Sequence, residues 1–339
     1  MIKEATQAVV NKKNLTKNNM IEVMNEIMNG EADTILLSSF LTALKMKGET
    51  AEEIAGAAKV MREKAERVNL TDYDTVDTCG TGGDCLDTFN ISTGVALVLA
   101  SADVKVVKHG NRSISSKCGG ADVLEALKVN INLNKEQVKD CVLNHNIGFM
   151  FAPKFHQAMK YAMPVRKTLG FRTLFNILGP LSNPALAKSQ LLGVYDGNLT
   201  EVMAESLGLL GVKRAMVVHG EDGLDEISIS APTKVTELIN GNLRNYIIKP
   251  EDFGLTRAKL SDVTGGGKEV NAQILLDLFQ GARGPKRDIL LLNCAAALYV
   301  SNKVESIDEG IEYASKILDS GLAYEKLQAF ASYTEVIAS

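Results

Sequence analysis

Between residues 1 and 70 apolar positions recur every three or four places, the spacing that gathers side chains on one face of an α-helix. Ile21, Met24, Ile27 and Met28 form one such set behind Thr16, whose hydroxyl suits a helix start. Asp33 stands in the same relation to Ile35, Leu36, Phe40 and Leu44. Gly48 and Thr50 then punctuate the chain before a further helical segment from Ile54 to Val68. The opening therefore reads as a small all-helical domain. Its apolar faces exceed what a short bundle buries alone, so part of them packs on a neighbouring domain or on a second subunit.

From Thr75 the pattern changes to short β-rich runs at 75–78, 104–107, 147–151, 191–194 and 215–218, separated by helical stretches such as the apolar one over 94–102. This alternation predicts an α/β domain with a mostly parallel central sheet flanked by helices. In such sheets ligands bind outside the carboxyl ends of the strands. Two motifs follow predicted strands: Cys79-Gly80-Thr81-Gly82-Gly83-Asp84, and Lys108-His109-Gly110-Asn111-Arg112. A third, Asn90-Ile91-Ser92-Thr93, opens the helix at 94–102.

Glycines allow positive φ and a close approach of backbone N–H groups to an anion. Ser92 and Thr93 would add hydroxyls at a helix start. Lys108 and Arg112 would neutralise phosphate charge, with Ser113, Ser115 and Ser116 as further donors, so the array suits a pyrophosphate-sized ligand. Taken alone, the glycine loop is equally a plain tight turn and the basic cluster a solvated loop. Cys85 stands where a dinucleotide fingerprint needs its third glycine, and there is no P-loop, which disfavours a dehydrogenase or a P-loop NTPase. The acidic run Glu221-Asp222-Gly223-Leu224-Asp225-Glu226 fails the EF-hand spacing. It reads as a solvated turn or, beside phosphates, as a source of Mg²⁺ ligands. His145 reads as a helix C-terminal residue and His219 as the end of a strand, while Phe149, Phe151 and Phe155 suit core or tunnel wall.

Composition narrows the partners. The 339 residues are 45% hydrophobic and 23% charged, enough for one large core and a smaller one. With 37 basic and 41 acidic residues the net charge is −4, which argues against a general nucleic-acid binder and makes any anion site local. Five cysteines without a C-x-x-C pair indicate neither a disulfide framework nor a zinc ribbon, and fit a reducing cytoplasm. The start shows no apolar signal segment and no run of about 18 apolar residues occurs, so neither secretion nor membrane spanning is expected.

Several motifs in order carry a resemblance. They are Leu44-Lys45-Met46-Lys47-Gly48-Glu49-Thr50, the glycine loop, Asn90-Ile91-Ser92-Thr93, Lys108-His109-Gly110-Asn111-Arg112 and Gly119-Gly120-Ala121-Asp122-Val123-Leu124-Glu125-Ala126-Leu127. Phe151-Ala152-Pro153, Arg166, the 175–184 segment Phe175-Asn176-Ile177-Leu178-Gly179-Pro180-Leu181-Ser182-Asn183-Pro184, and Asp225-Glu226 complete them. In these the chain resembles the anthranilate phosphoribosyltransferases over nearly its whole length. Lys128, where that family commonly has glycine, and Gly265-Gly266-Gly267-Lys268-Glu269, in place of a more acidic loop, depart from its pattern without touching a ligand position.

The resemblance implies transfer of phosphoribosyl from phosphoribosyl pyrophosphate (PRPP) to the amine of anthranilate, the second step of tryptophan biosynthesis from chorismate, with two Mg²⁺ ions per subunit. It implies a homodimer through the helical domain. It also implies a division in which that domain, 1–70, is completed by about 163–185 and the large domain comprises 71–162 and 186–339. Carried over by motif, the PRPP site comprises Gly80, Gly83, Asp84, Thr88, Asn90, Ile91, Ser92, Thr93, Lys108, His109, Gly110, Asn111, Arg112, Ser113, Ile114, Ser115, Ser116 and Gly120. The stretch from Lys108 to Ser116 is expected as a loop closing over it. Gly80, Asn111, His109, His156 and Arg166 are expected at anthranilate, and Ser92, Asp225 and Glu226 at the metal. Lys108 and Arg166 would act electrostatically and by orientation, without a side-chain base. The shared architecture leaves two alternatives, a pyrimidine nucleoside phosphorylase-like enzyme and a catalytically silent sugar-phosphate-binding homologue. Association with a separate glutamine amidotransferase is left open.

Overall fold

The structure is a computed structural model that describes residues 1–113 and 117–338. Four helices come first: α1 (Ile2–Val10), α2 (Lys17–Met28), α3 (Thr34–Lys47) and α4 (Ala51–Glu63). Three of them start at the capping residues. Thr16 accepts from the Asn19 N–H, Asp33 from those of Ile35 and Leu36, and Thr50 and Glu53 cap α4 reciprocally. The fully buried Glu53 also accepts from the Leu15 N–H at 2.8 Å and from Lys47 Nζ at 2.9 Å, so one carboxylate fastens the turns before α2 and α4. The fourth helix ends at Glu63, short of the expected Val68.

The sheet has seven strands: β1 (Thr75–Asp77), β2 (Lys105–Gly110), β3 (Ile147–Phe151), β4 (Ser189–Gly193), β5 (Arg214–Gly220), β6 (Thr233–Ile239) and β7 (Asn242–Ile248), in the order β3-β2-β1-β4-β5-β6-β7. Strands β1 to β5 are parallel to their neighbours among themselves, while β6 and β7 join antiparallel. Helix α5 (Ile91–Ser101) links β1 to β2; α6 (Gly120–Ala126) and α7 (Lys135–His145) lead to β3. Helices α8 (Ala152–Phe155) and α9 (Met163–Leu169) with short 3₁₀ turns lead to β4, and α10 (Leu199–Leu209) to β5. Helices α11 (Lys268–Phe279), α12 (Pro285–Val300), α13 (Ile307–Ser320) and α14 (Leu322–Ala338) close the chain. None of the described helices is long and apolar enough to cross a membrane.

Strand alternation divides the interior. Leu191, Met216 and Val218 pack into a cluster with α5 and α12, whereas Leu192, Ala215 and Val217 face the opposite side. There they join Met24, Phe40 and Ile54 of the opening helices together with Val165, Phe175 and Leu181. The opening helices thus share one apolar core with the 162–181 segment and with one face of the sheet. The β6–β7 hairpin, absent from the sequence reading, turns on Asn240 and Gly241 with φ of 49° and 86°, the left-handed pair that such two-residue turns require.

Candidate active site

Strand β2 pairs with β3 from Val106 through Gly110, so Lys108, His109 and Gly110 belong to a strand and not to the loop expected of them. The pleat sends consecutive side chains to opposite faces. Lys108, buried, donates to Thr78 Oγ1 and Ser92 Oγ, each at 3.2 Å. Gly120 opens α6 beside them: a Cβ there would lie 3.5 Å from Thr93 Oγ1 and 3.8 Å from the Lys108 side chain. The Thr93 hydroxyl is itself buried and has no partner among the described residues. Lysine, two hydroxyl residues at the start of α5 and bare backbone therefore meet at one place, the donor set that an anionic ligand needs.

On the other face His109 Nδ1 lies 3.1 Å from the Gly179 carbonyl, and its ring centroid 4.9 Å from that of His156. Burial pushes the imidazoles down to about 3 for His109 and about 4 for His156. Both are therefore neutral near pH 7, and the Nε2 of each is buried without a partner among the described residues. Asp77 supports this region from behind. Its carboxylate accepts from the N–H groups of Cys79 at 3.1 Å and His109 at 3.3 Å, and from Asn183 Nδ2 at 2.6 Å. Complete burial raises it to about 6, against the opposing pull of Lys108.

Across the cleft β4 ends against the acidic turn. A Cβ on Gly193 would fall 1.5 Å from the Asp225 carbonyl oxygen, so only glycine allows this approach. Gly80 lies in the same contact, its would-be Cβ 3.3 Å from Asp225 Oδ2. Burial and the neighbouring Asp84 raise Asp225 to about 7; burial and Asp225 raise Glu226 well above the usual carboxylate range. Backbone N–H groups of Gly82 and Ser92 oppose these shifts at Asp225 and Glu226 respectively, which places the acidic pair beside the glycine loop and the start of α5. One oxygen of Asp84 is buried and unpartnered among the described residues.

Mutually repelling carboxylates with an orphaned oxygen fit a divalent cation. Among the described residues no group of three histidine, cysteine, aspartate or glutamate side chains is gathered to hold an ion by itself. That suits Mg²⁺, which usually takes one or two carboxylates and completes its shell with water and substrate phosphate. Asp222, by contrast, is spent on the turn, accepting from Ser228 Oγ at 2.6 Å and from Ser230 Oγ.

Arg166 stands on α9 with its guanidinium 5.5 Å from the Phe175 ring centroid. Its polar contact is a weak one of 3.7 Å to Met163 Sδ, and no described acid pairs with it. Burial alone holds its pKa down.

Other sequence-derived positions are tied elsewhere. Arg112 is exposed and engaged by Glu125 at 2.6 and 2.8 Å and by Asp122 at 3.0 Å, so its charge is neutralised by α6. The Asn111 side chain accepts from the Arg112 N–H at 2.7 Å. The backbone N–H of Ser113 donates to Asp122 at 3.1 Å. Thr88 forms an isolated antiparallel bridge with Thr264. The Asn90 side chain joins Cys118 and Asn271 instead of capping α5, which begins at Ile91, one residue before the expected serine. Gly83 bonds Arg172 through its carbonyl. Ile114, Ser115 and Ser116 lie outside the described residues.

Sequence reasoning missed Asp77, Thr78, Asn183 and Arg172. Asp77 ends the strand feeding the glycine loop and Thr78 follows it, a position that was itself the signal. Asn183 lay within a quoted motif but without a partner that sequence could name.

The comparisons with known proteins agree with this geometry. Residues 72–324 match the glycosyl transferase family a/b domain, and residues 3–65 its helical bundle domain. The anthranilate phosphoribosyltransferase of Alkaliphilus metalliredigens (strain QYMF) is 54% identical over 96% of this chain and 96% of its own length. The crystal structure of the enzyme of that name from Thermus thermophilus superposes with a TM-score of 0.93 at 39% identity, covering 98% of this chain and 99% of the other. The one from Saccharomyces cerevisiae, solved in complex with PRPP and Mg, has a TM-score of 0.87 at 29% identity, covering 99% and 98%. A shared two-part architecture, a cleft of anion donors facing paired carboxylates, and likeness along the full length agree: the chain belongs to the anthranilate phosphoribosyltransferase family.

Proposed function

We propose that this chain transfers the phosphoribosyl group of PRPP to the amine of anthranilate, releasing pyrophosphate. The observation that carries the reading is the convergence of Lys108, Ser92 and Gly120 with the Asp225-Glu226 pair at the strand ends. Lys108 and the start of α5 receive the pyrophosphate of the donor. Asp225, Glu226, Ser92 and Asp84 are the residues that would hold two Mg²⁺ ions. When bound, these would neutralise phosphate oxygens and stabilise charge on the departing anion.

The bond from the ribose C1 to pyrophosphate breaks and leaves positive charge on the sugar, the amine nitrogen of anthranilate bonds to that carbon, and one of its two N–H protons passes to the departing pyrophosphate or to water. Preorganised donors lower this barrier without a side-chain base, because an aniline nitrogen is unprotonated near neutral pH. Arg166 receives the anthranilate carboxylate, and the neutral His109–His156 pair lines the acceptor's path as hydrogen-bonding groups that bring no competing charge. The same reading takes 1–70 with about 163–185 as the small domain, which the shared apolar core supports, and makes that domain the contact of a homodimer.

Fluorescence of anthranilate, followed with PRPP and Mg²⁺ and again with either omitted, tests the function. Only the complete mixture should consume it. Arg166→Ala should raise the anthranilate KM roughly ten- to a hundredfold, the worth of charge-assisted hydrogen bonds, with little change in the PRPP KM. Equal weakening of both substrates would remove Arg166 from this role.

A further inference from the structure

Arg172 lies six positions beyond Arg166 in a stretch that no catalytic role accounts for. Gly170, with φ of 66°, ends α9, and the chain then passes through Arg172 to Phe175, the ring beneath Arg166. The Arg172 guanidinium leaves this stretch and donates to the carbonyl of Gly83 in the glycine loop. It also stacks 3.9 Å from the centroid of the Tyr195 ring. Tyr195 is tied to the same loop: its N–H donates to Thr81 Oγ1 at 3.1 Å, while the Thr81 N–H donates to the Gly193 carbonyl at 2.9 Å. One side chain therefore joins three segments: the connection behind Arg166, the glycine loop, and the end of β4 that abuts Asp225.

The bond has a directional consequence. In a trans peptide the carbonyl and the N–H lie in one plane and point in opposite directions. Fixing the Gly83 carbonyl toward Arg172 thus turns the Asp84 N–H away from it. Gly82 and Gly83, with φ of 64° and 85°, have no side chains to hold that orientation themselves.

We propose that Arg172 is a positioning residue that couples the two substrate sites, holding the donor loop in its binding conformation from the segment that also seats the anthranilate-orienting Arg166. This rests on the function proposed above. A residue supporting one site alone would change one KM; a coupling residue changes both.

The test is initial-rate kinetics of the full chain over a grid of PRPP and anthranilate concentrations with Mg²⁺, for wild type, R172A, R172K and Y195F, with thermal melting of each. R172A should raise both KM values by about tenfold, the effect of losing one hydrogen bond to a charged group, with a smaller fall in kcat and an unchanged melting temperature at this exposed position. R172K should restore part of the PRPP KM through its single donor, and Y195F, which keeps the ring but loses the hydroxyl that meets Arg172, should raise both KM values by less than R172A does. Active wild type with R172A altering one KM only, or neither, overturns the coupling and leaves the proposed function standing. Inactive wild type overturns both.

Discussion

Asp77 shows how one buried carboxyl organises residues distant in sequence. It accepts from the N–H groups of Cys79 and His109 and from the Asn183 amide, so it holds the glycine loop's first residue, the end of β2 and the 175–184 segment together. All three partners are donors. An amide at this position offers a single acceptor oxygen and brings two donors of its own, so Asp77→Asn leaves donors facing donors. Its titration carries a signature. The carboxyl is raised from 3.8 to about 6 by burial, so between these values the folded protein keeps a proton that the unfolded chain releases. Stability from this group is present below about pH 4 and is lost as pH rises toward about 6. The stability of wild type minus that of Asp77→Asn should therefore decrease from pH 4.5 to pH 6.5 and then level off, as read by urea denaturation at several pH values. A difference constant with pH, or one that increases, would show that Asp77 does not titrate as its burial implies.

At the level of elements, the site depends on how closely β4 approaches the acidic turn after β5. Gly193→Ala would place a methyl 1.5 Å from the Asp225 carbonyl, and backbone must move to admit it. The variant should retain its far-ultraviolet circular dichroism yet lose roughly a hundredfold in kcat, since displacing charge-stabilising groups by about 1 Å is enough for such a loss. Gly208→Ala on α10 meets only ordinary contacts of 3.4 Å and should leave rates unchanged; comparable losses in both variants would detach the effect from the Asp225 contact. The same elements show what sequence could reveal. The helical opening and the parallel strands were readable because capping residues, periodicity and glycines act locally. The reach of β2 through Lys108, His109 and Gly110 was not, because pairing with β3 decides it and no local pattern does. The β6–β7 hairpin was legible in Asn240-Gly241, but β7 is an exposed edge strand whose weak alternation hides it. The engagement of Arg112 by Asp122 and Glu125 was not legible either, because only the turn into α6 brings those carboxylates back to it.

For the whole molecule, α3 carries two apolar demands in opposite directions. Leu37, Phe40, Leu41 and Leu44 are buried against the other helices, whereas Ile35 and Met46 remain 75% and 82% exposed. Eleven residues apart, those two return to within about 20° of each other around the helix, so they share one outward face. Such a face suits the proposed homodimer contact through the helical domain, where apolar side chains at the centre of a symmetric patch meet their own copies. Ile35→Glu with Met46→Glu should convert a dimer to a monomer in sedimentation velocity, with the helical content of the monomer unchanged because the buried face is untouched. Because α3 also packs against α9, the helix bearing Arg166, losing the partner should raise the anthranilate KM more than the PRPP KM. A wild type that sediments as a monomer would remove the proposed homodimer, and a doubly charged variant that stays dimeric would place the subunit contact on another face; either would free the outward face of α3 from any part in orienting the acceptor.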